Sequence, residues 1–424
     1  MKVLWIVNVT FPEALSLLGE FDASCKSTGG WLISSADALA NRGDIELFVV
    51  SAYQKAQQMN MLKGKLINYI LLPCEVDVLH SVQQNELWHI IEKDIKPDIV
   101  HIHGTENLLG LSYINVCGNE KVVLSIQGVM GLIGNYYCKG MTFGDVFRSL
   151  TPYDVFRRQS IWHLRSSFCR RGKFEEDIYR KLKYVIGRTT VDKAHVWSVN
   201  SAIKYFHCDE ILRPEFYNGR WKYENCEKHT IFMSQASYPV KGLHQVLKAV
   251  PTLLNIFPEL KLRIAGADFT NPISLRDKLK FGGYANYIRK KIKKYKLEKA
   301  ITFTGPLDAE GMKSEYLKAN VFLSASTIEN SPNSLGEAQL LGVPSLASYV
   351  GGVPDMIPNE RCGQMYRFED TEALVYKIAQ IFEQSKVFDN TEMRSVAIER
   401  HSVKRHVSDT INIYTQIIKD NSQC

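Results

Sequence analysis

The sequence predicts an α/β protein of two similar domains, each built on a mostly parallel sheet. A chain of 424 residues is longer than one core ordinarily organises, so two domains of roughly 200 residues each are expected. Apolar strands alternate with helical segments in the first part of the chain and again from near residue 230, the pattern of parallel sheets covered by helices. With 45% hydrophobic and 23% charged residues, the composition is that of a folded chain and not of a disordered one.

Taken in order, a strand is expected at 3–9, followed by a long turn region through Gly29-Gly30. A helix follows at 32–41, closed by Arg42-Gly43-Asp44, and then strands at 45–50, 99–103 and 122–126. The second run has strands at 231–234, 260–265, 301–304, 321–324 and 345–347. Its helices begin at 242–251 and cover 312–319 and 335–341. Residues 207–229 read as a connector and 386–424 as terminal helices, which gives domains at 1–206 and 207–385. The basic run 289–296 reads as a solvated helix face.

The formal charge of +7 suits a sugar nucleotide, a phosphorylated acceptor or an anionic membrane face equally. A nucleic-acid partner is not expected, because no recognisable binding module accompanies the charge. Nine cysteines lack CxxC spacing, and the N-terminus reads as a strand, not a signal peptide. No run of about 18 apolar residues is present. A cytoplasmic protein is therefore expected, with peripheral contact at the inner face of the cell membrane left open.

That last option comes from residues 129–183, where Tyr136, Phe143, Phe147, Phe156 and Trp162 are interleaved with Arg148, Arg157, Arg158 and Arg170. Such a segment is either an ordinary solvated helix pair or an amphipathic surface for anionic lipid or a lipid-linked phosphate.

The chemistry concentrates in Glu329-Asn330-Ser331-Pro332-Asn333-Ser334-Leu335-Gly336-Glu337-Ala338. A turn at Pro332 would open a helix whose first backbone N–H groups, near Asn333, Ser334 and Leu335, suit a diphosphate. Glu329 and Glu337, on either side, suit sugar or ribose hydroxyls, or are surface and capping carboxylates. Lys241-Gly242 adds a cation that could neutralise a leaving diphosphate. Gly29-Gly30 would let the backbone approach the same group. Strand 99–103 runs into His103-Gly104-Thr105-Glu106, at the strand end where ligands collect in open α/β sheets. His101 and His103 are either ligand-facing or packed against a helix. With no Asp-x-Asp stretch, zinc cluster or nucleotide-hydrolase loop in the sequence, no metal and no cofactor are expected.

In these motifs the chain resembles the retaining glycosyltransferase family 4, of the two-domain GT-B fold. The resemblance rests on Tyr238-Pro239-Val240-Lys241-Gly242, Leu262-Arg263-Ile264-Ala265-Gly266 and Phe303-Thr304-Gly305-Pro306-Leu307. It continues through Ala319-Asn320-Val321-Phe322-Leu323-Ser324, the glutamates Glu329 and Glu337, Gly342-Val343-Pro344 and Gly351-Gly352-Val353-Pro354-Asp355. Gly187-Arg188-Thr189 agrees with it. The resemblance implies two Rossmann-like domains facing each other across a cleft, with a C-terminal helix returning to the first.

It also implies roles. Glu337 would bind the donor ribose and Glu329 hydroxyls of the transferred sugar. Lys241 with the amides of Ser334 and Leu335 would hold the diphosphate, and Leu307 and Met312 would border the base. His103, Glu106, Gln127 and Arg188 would meet the acceptor or the transferred sugar. Three departures stand out. No arginine occurs in Ser234-Gln235-Ala236-Ser237-Tyr238, Gln127 stands where a histidine is frequent, and Asp355 replaces a frequent glutamate. A glutamine can donate a hydrogen bond but cannot act as a base.

The expected activity is retaining transfer of a hexosyl unit from a nucleoside-diphosphate sugar, UDP favoured over GDP. The expected acceptor is a saccharide or lipid-linked saccharide in bacterial surface-polysaccharide synthesis. A non-catalytic sugar-nucleotide sensor, and an epimerase or hydrolase, are the alternatives.

Overall fold

A computed structural model describes residues 1–20, 29–74 and 82–422. The expected turn through residues 21–28 and the last two residues of the terminal segment lie outside them. The chain divides into two compact units. The first is drawn from Met1–Gly131, Arg170–Arg213 and Arg400–Cys424, the second from Leu132–Cys169 and Pro214–Glu399. The sequence predicts one boundary near 206, but the units are discontinuous in the chain, and the aromatic-basic residues 132–169 group with the second. The helix Ile161–Lys181 carries the chain from one unit to the other.

The first unit holds an eight-stranded sheet. Its strands are β1 (Lys2–Ile6), β2 (Glu46–Ala52), β3 (Asn60–Lys63), β4 (Ile67–Leu72), β5 (Ile99–His103), β6 (Val122–Ser125), β7 (Tyr184–Gly187) and β8 (Lys204–His207). The order is β3-β4-β2-β1-β5-β6-β7-β8, parallel throughout except for edge strand β3. β1, β5 and β7 are almost continuously buried, as strands covered on both faces must be. The terminal helix Val403–Ser422 packs into this core through Ile413, Tyr414 and Ile417. The Trp5 indole N–H donates to the Tyr414 hydroxyl at 3.0 Å.

The second unit has six parallel strands: β9 (Thr230–Met233), β10 (Lys261–Ile264), β11 (Ile301–Phe303), β12 (Val321–Ser324), β13 (Ser345–Ser348) and β14 (Gln364–Tyr366). Their order is β11-β10-β9-β12-β13-β14. The helices Leu243–Ile256 and Thr371–Gln384 bury Leu247, Val250, Leu374 and Ile378 against it. Residues 132–169 join the same core through Tyr137, Val146 and Ile161. The helix Gly283–Tyr295 buries Tyr287, Ile288 and Ile292 and turns its lysines outward, as expected of the basic run. Among the described residues no helix is long and apolar enough to cross a membrane.

Candidate active site

In each sheet the chain reverses its direction of winding beside one central strand. In the second unit this happens between β9 and β12, which are paired neighbours. The loops leaving those two strands therefore diverge and open a crevice at the carboxyl end of the sheet. The loop after β9 carries Lys241, and the loop after β12 carries Glu329.

These two residues, 88 positions apart, meet as an ion pair: Lys241 Nζ lies 2.5 Å from Glu329 Oε1. The Ser326 hydroxyl donates to the same oxygen at 2.6 Å. Both bonds fall on Oε1, so Oε2 is the oxygen that remains to accept from a ligand. Burial alone would lower the lysine pKa, but the Glu329 charge and Tyr238 outweigh it and the net shift is upward. Lys241 is thus a fixed cation, with its ammonium 5.8 Å from the centre of the Tyr238 ring.

Backbone geometry holds the pair. Gly242 sits at φ 70°, and a Cβ there would lie 1.7 Å from the Ala325 carbonyl oxygen. Gly351, at φ 52°, would place a Cβ 1.8 Å from the Glu329 carbonyl oxygen. The Thr327 N–H donates to Val240 O at 2.7 Å, and the Gly352 N–H to Glu329 O at 3.0 Å. Both approaches are open only to glycine.

The helix Asn333–Leu341 begins just beyond, with Pro332 at its N-cap position and no side-chain cap. Its first N–H groups and positive end lie where the sequence predicts the amide donors. One detail differs, because the Leu335 N–H already donates to Pro332 O at 3.0 Å. The amides of Asn333 and Ser334 are therefore the better donors. Glu337 is buried within this helix. The Tyr316 hydroxyl, 2.9 Å from Ser334 O and 3.3 Å from Glu337 Oε2, fixes its carboxylate. Met312 is buried and Leu307 half-buried, beside a backbone bridge between Gly266 and Gly305.

In the first unit the reversal lies between β1 and β5. His101 is fully engaged, with Nδ1 2.6 Å from the Tyr414 hydroxyl and Nε2 2.7 Å from Ser125 Oγ. His103 stacks on it at 3.8 Å between ring centroids and lies 4.1 Å from Trp5. Burial depresses His101 to about 3 and His103 well below the ordinary range, so both rings are neutral. His101 is a packed structural histidine. Both nitrogens of His103 lack a partner among the described residues, beside a cavity of about 20 Å³ that Arg188, Glu210 and His406 also line.

Arg188 forms a buried ion pair with Glu210 and donates to Ile126 O at 2.7 Å. Gln127 Nε2 donates to Glu210 Oε1 at 2.6 Å. Glu106, pushed up to about 7 by burial, accepts from the Gly128 N–H at 3.3 Å. Gln127 and Arg188 are thus brought together on Glu210, a residue the motifs did not single out, while Glu106 is held at the Gly128 amide next to Gln127. Gly29 occupies φ 75° at the start of the helix Gly30–Ala40, and a Cβ on Gly30 would meet the Arg213 side chain at 2.9 Å. Among the described residues no group of three or more His, Cys, Asp or Glu is placed to hold a metal ion.

Residues 220–400 match the family model Glycosyl transferases group 1. That stretch contains the Lys241–Glu329 pair and Glu337. An uncharacterised 41.2 kDa protein in the cps region of Klebsiella pneumoniae is 30% identical over 125 residues, 29% of this chain and 34% of that protein. An Escherichia coli K12 protein, provisionally named colanic acid biosynthesis glycosyltransferase WcaL, is 25% identical over 145 residues, 33% of this chain and 32% of its own. The chain thus spans about a third of the length of these curated relatives. The Anabaena HepE structure in complex with UDP and glucose is similar over 100% of both chains, with a TM-score of 0.61 at 12% identity. At that identity the likeness is one of fold, and the fold is GT-B: two Rossmann-like sheet domains.

Proposed function

We propose that the protein is a glycosyltransferase that moves a hexosyl unit from a nucleoside-diphosphate sugar to a saccharide or lipid-linked saccharide acceptor. The observation that carries this is the Lys241–Glu329 pair at the strand reversal of the second sheet, next to a helix N-terminus without a side-chain cap. An ammonium has three N–H donors. Glu329 and Tyr238 engage the head group, which leaves a donor for a diphosphate.

In this reading Lys241 and the amides of Asn333 and Ser334 stabilise the negative charge that grows on the leaving diphosphate. Glu329 Oε2 accepts from a hydroxyl of the transferred sugar, and Glu337, held by Tyr316, accepts from the ribose. The polar cluster of the first unit, with His103, Gln127, Arg188 and Glu106, belongs to the acceptor side. Retention of configuration follows from the resemblance to family 4. A front-face route suits it, because no side chain of the cluster stands out as a nucleophile.

UDP is the preferred nucleotide, supported by the UDP bound in HepE. Cell-surface polysaccharide synthesis is the preferred context, supported by the cps-region and colanic-acid relatives. Incubation with UDP- and GDP-sugars and a panel of soluble and lipid-linked saccharides, read by mass spectrometry, tests the reading. An acceptor heavier by one sugar supports it. Donor binding without consumption on any acceptor would instead make the protein a sugar-nucleotide sensor.

A further inference from the structure

The second unit turns an unusual set of large apolar side chains into solvent. Phe143, Phe147, Val155 and Phe156 are exposed on the short helices Phe143–Ser149 and Pro152–Arg157, with Phe156 at 86%. Ile273, Leu275 and Leu279 are exposed on the segment that precedes the helix Gly283–Tyr295, with Ile273 at 89%. The two groups are tied to one scaffold. The buried Asp154 carboxylate accepts from the Gly283 N–H at 3.0 Å. Asn286 Nδ2 donates to Ser149 O at 3.0 Å, and Lys290 Nζ to Arg148 O at 2.8 Å.

The charge on this scaffold is sorted by sign. Its acidic residues, Asp145, Asp154 and Asp277, are engaged in capping, accepting from the N–H groups of Thr142, Thr151 and Ser274 at 3.0, 2.8 and 3.1 Å. Arg148, Arg157, Arg158, Lys278, Lys280 and Lys290 are exposed to solvent. Exposed aromatics among cations, with each carboxylate held in a helix-capping bond, match an anionic interface whose depth is apolar. A second copy of the chain is a poor fit, because a two-fold contact would set cations against cations.

We infer that this surface of the second unit docks on an anionic lipid bilayer. The phenylalanines and isoleucine enter the headgroup boundary, and the arginines and lysines meet lipid phosphates. The inference rests on the glycosyltransferase reading only for its purpose, which is to bring the enzyme to a lipid-linked acceptor. The binding itself is independent of turnover.

The test is co-sedimentation of the full chain with vesicles of phosphatidylcholine containing phosphatidylglycerol, and with vesicles of phosphatidylcholine alone. Binding is expected only to the anionic vesicles and should weaken with salt. It should fall about ten-fold or more in Phe147→Ser/Phe156→Ser and in Arg148→Glu/Arg157→Glu, with thermal unfolding unchanged because these side chains are exposed. No sedimentation, or binding equal in wild type and both variants, would overturn the inference. So would a concentration-dependent dimer abolished by Phe156→Ser, which would make the surface a contact between copies. Vesicle binding without sugar transfer would overturn the enzymatic reading alone.

Discussion

Lys241 Nζ and Glu329 Oε1 lie 2.5 Å apart across the strand reversal of the second sheet, although 88 residues separate them in the chain. The pair presents a cation and a carboxylate oxygen to one crevice, and the chemistry proposed for the protein needs both.

Removing the cation should act on the transition state more than on folding. For Lys241→Ala, kcat with a sugar nucleotide is expected to fall by about 10²–10³, as for loss of one preorganised charge stabiliser. The folded fraction at assay temperature should stay high, as circular dichroism would show. An unchanged kcat would remove Lys241 from the mechanism.

The two glycines that let these loops approach should be intolerant of any side chain. Gly242→Ala and Gly351→Ala combine a left-handed backbone with a Cβ less than 2 Å from a carbonyl oxygen. Each should cost more than about 2 kcal/mol of stability, measured by urea unfolding. Gly43→Ala, with the same sign of φ but nothing within 4 Å, should cost only the backbone part, about 1–2 kcal/mol.

Tyr316 should matter to donor binding through Glu337. Tyr316→Phe removes the hydroxyl 3.3 Å from Glu337 Oε2 and should weaken UDP binding about five-fold, the worth of one hydrogen bond. Glu337→Ala should weaken it further. Calorimetric titration with UDP measures both, and equal affinity in all three proteins would separate Glu337 from the nucleotide.

Stability should fall in mild acid. His401 is buried, its Nδ1 donating to Glu210 O at 2.6 Å, and burial pushes its pKa down to about 4. Below about pH 6.5 the unfolded chain takes up a proton that the folded chain refuses. The stability this histidine contributes is therefore complete above about pH 6.5 and is lost as pH falls towards 4, by up to about 3 kcal/mol. Urea unfolding across that window should show the fall, and His401→Gln should reduce its slope by one proton. An identical slope in the variant would mean that His401 titrates normally.

Much of this architecture could be read from the sequence. β5 and β12 fall on their expected bounds, because each is a short, wholly buried run between turn residues. The start of the helix at Asn333 was legible because Pro332 marks it. β4 and β7 were not assigned, although both are buried. The antiparallel edge strand β3 alternates half-buried and exposed residues and gives little signal. Residues 132–169 show an amphipathic pattern, but periodicity says only that a face is buried and not what covers it. Their place in the core of the second unit comes from Asp154 and Tyr137, which reach partners more than 90 residues away. Likewise the motifs named Lys241, Glu329 and Glu337 but not Ser326, Tyr316 or Glu210. Ser326 and Tyr316 act by fixing Glu329 and Glu337, and Glu210 by fixing Arg188 and Gln127, and only the folded backbone brings them together.

In the proposed function the Lys241–Glu329 pair belongs to a sugar-nucleotide transfer site. The most direct test is product mass in the transfer assay, with wild type, Lys241→Ala and Glu329→Gln run side by side on one donor and acceptor. A product heavier by one sugar is expected from the wild type, and a greatly diminished product from both variants. Equal product from all three would contradict it.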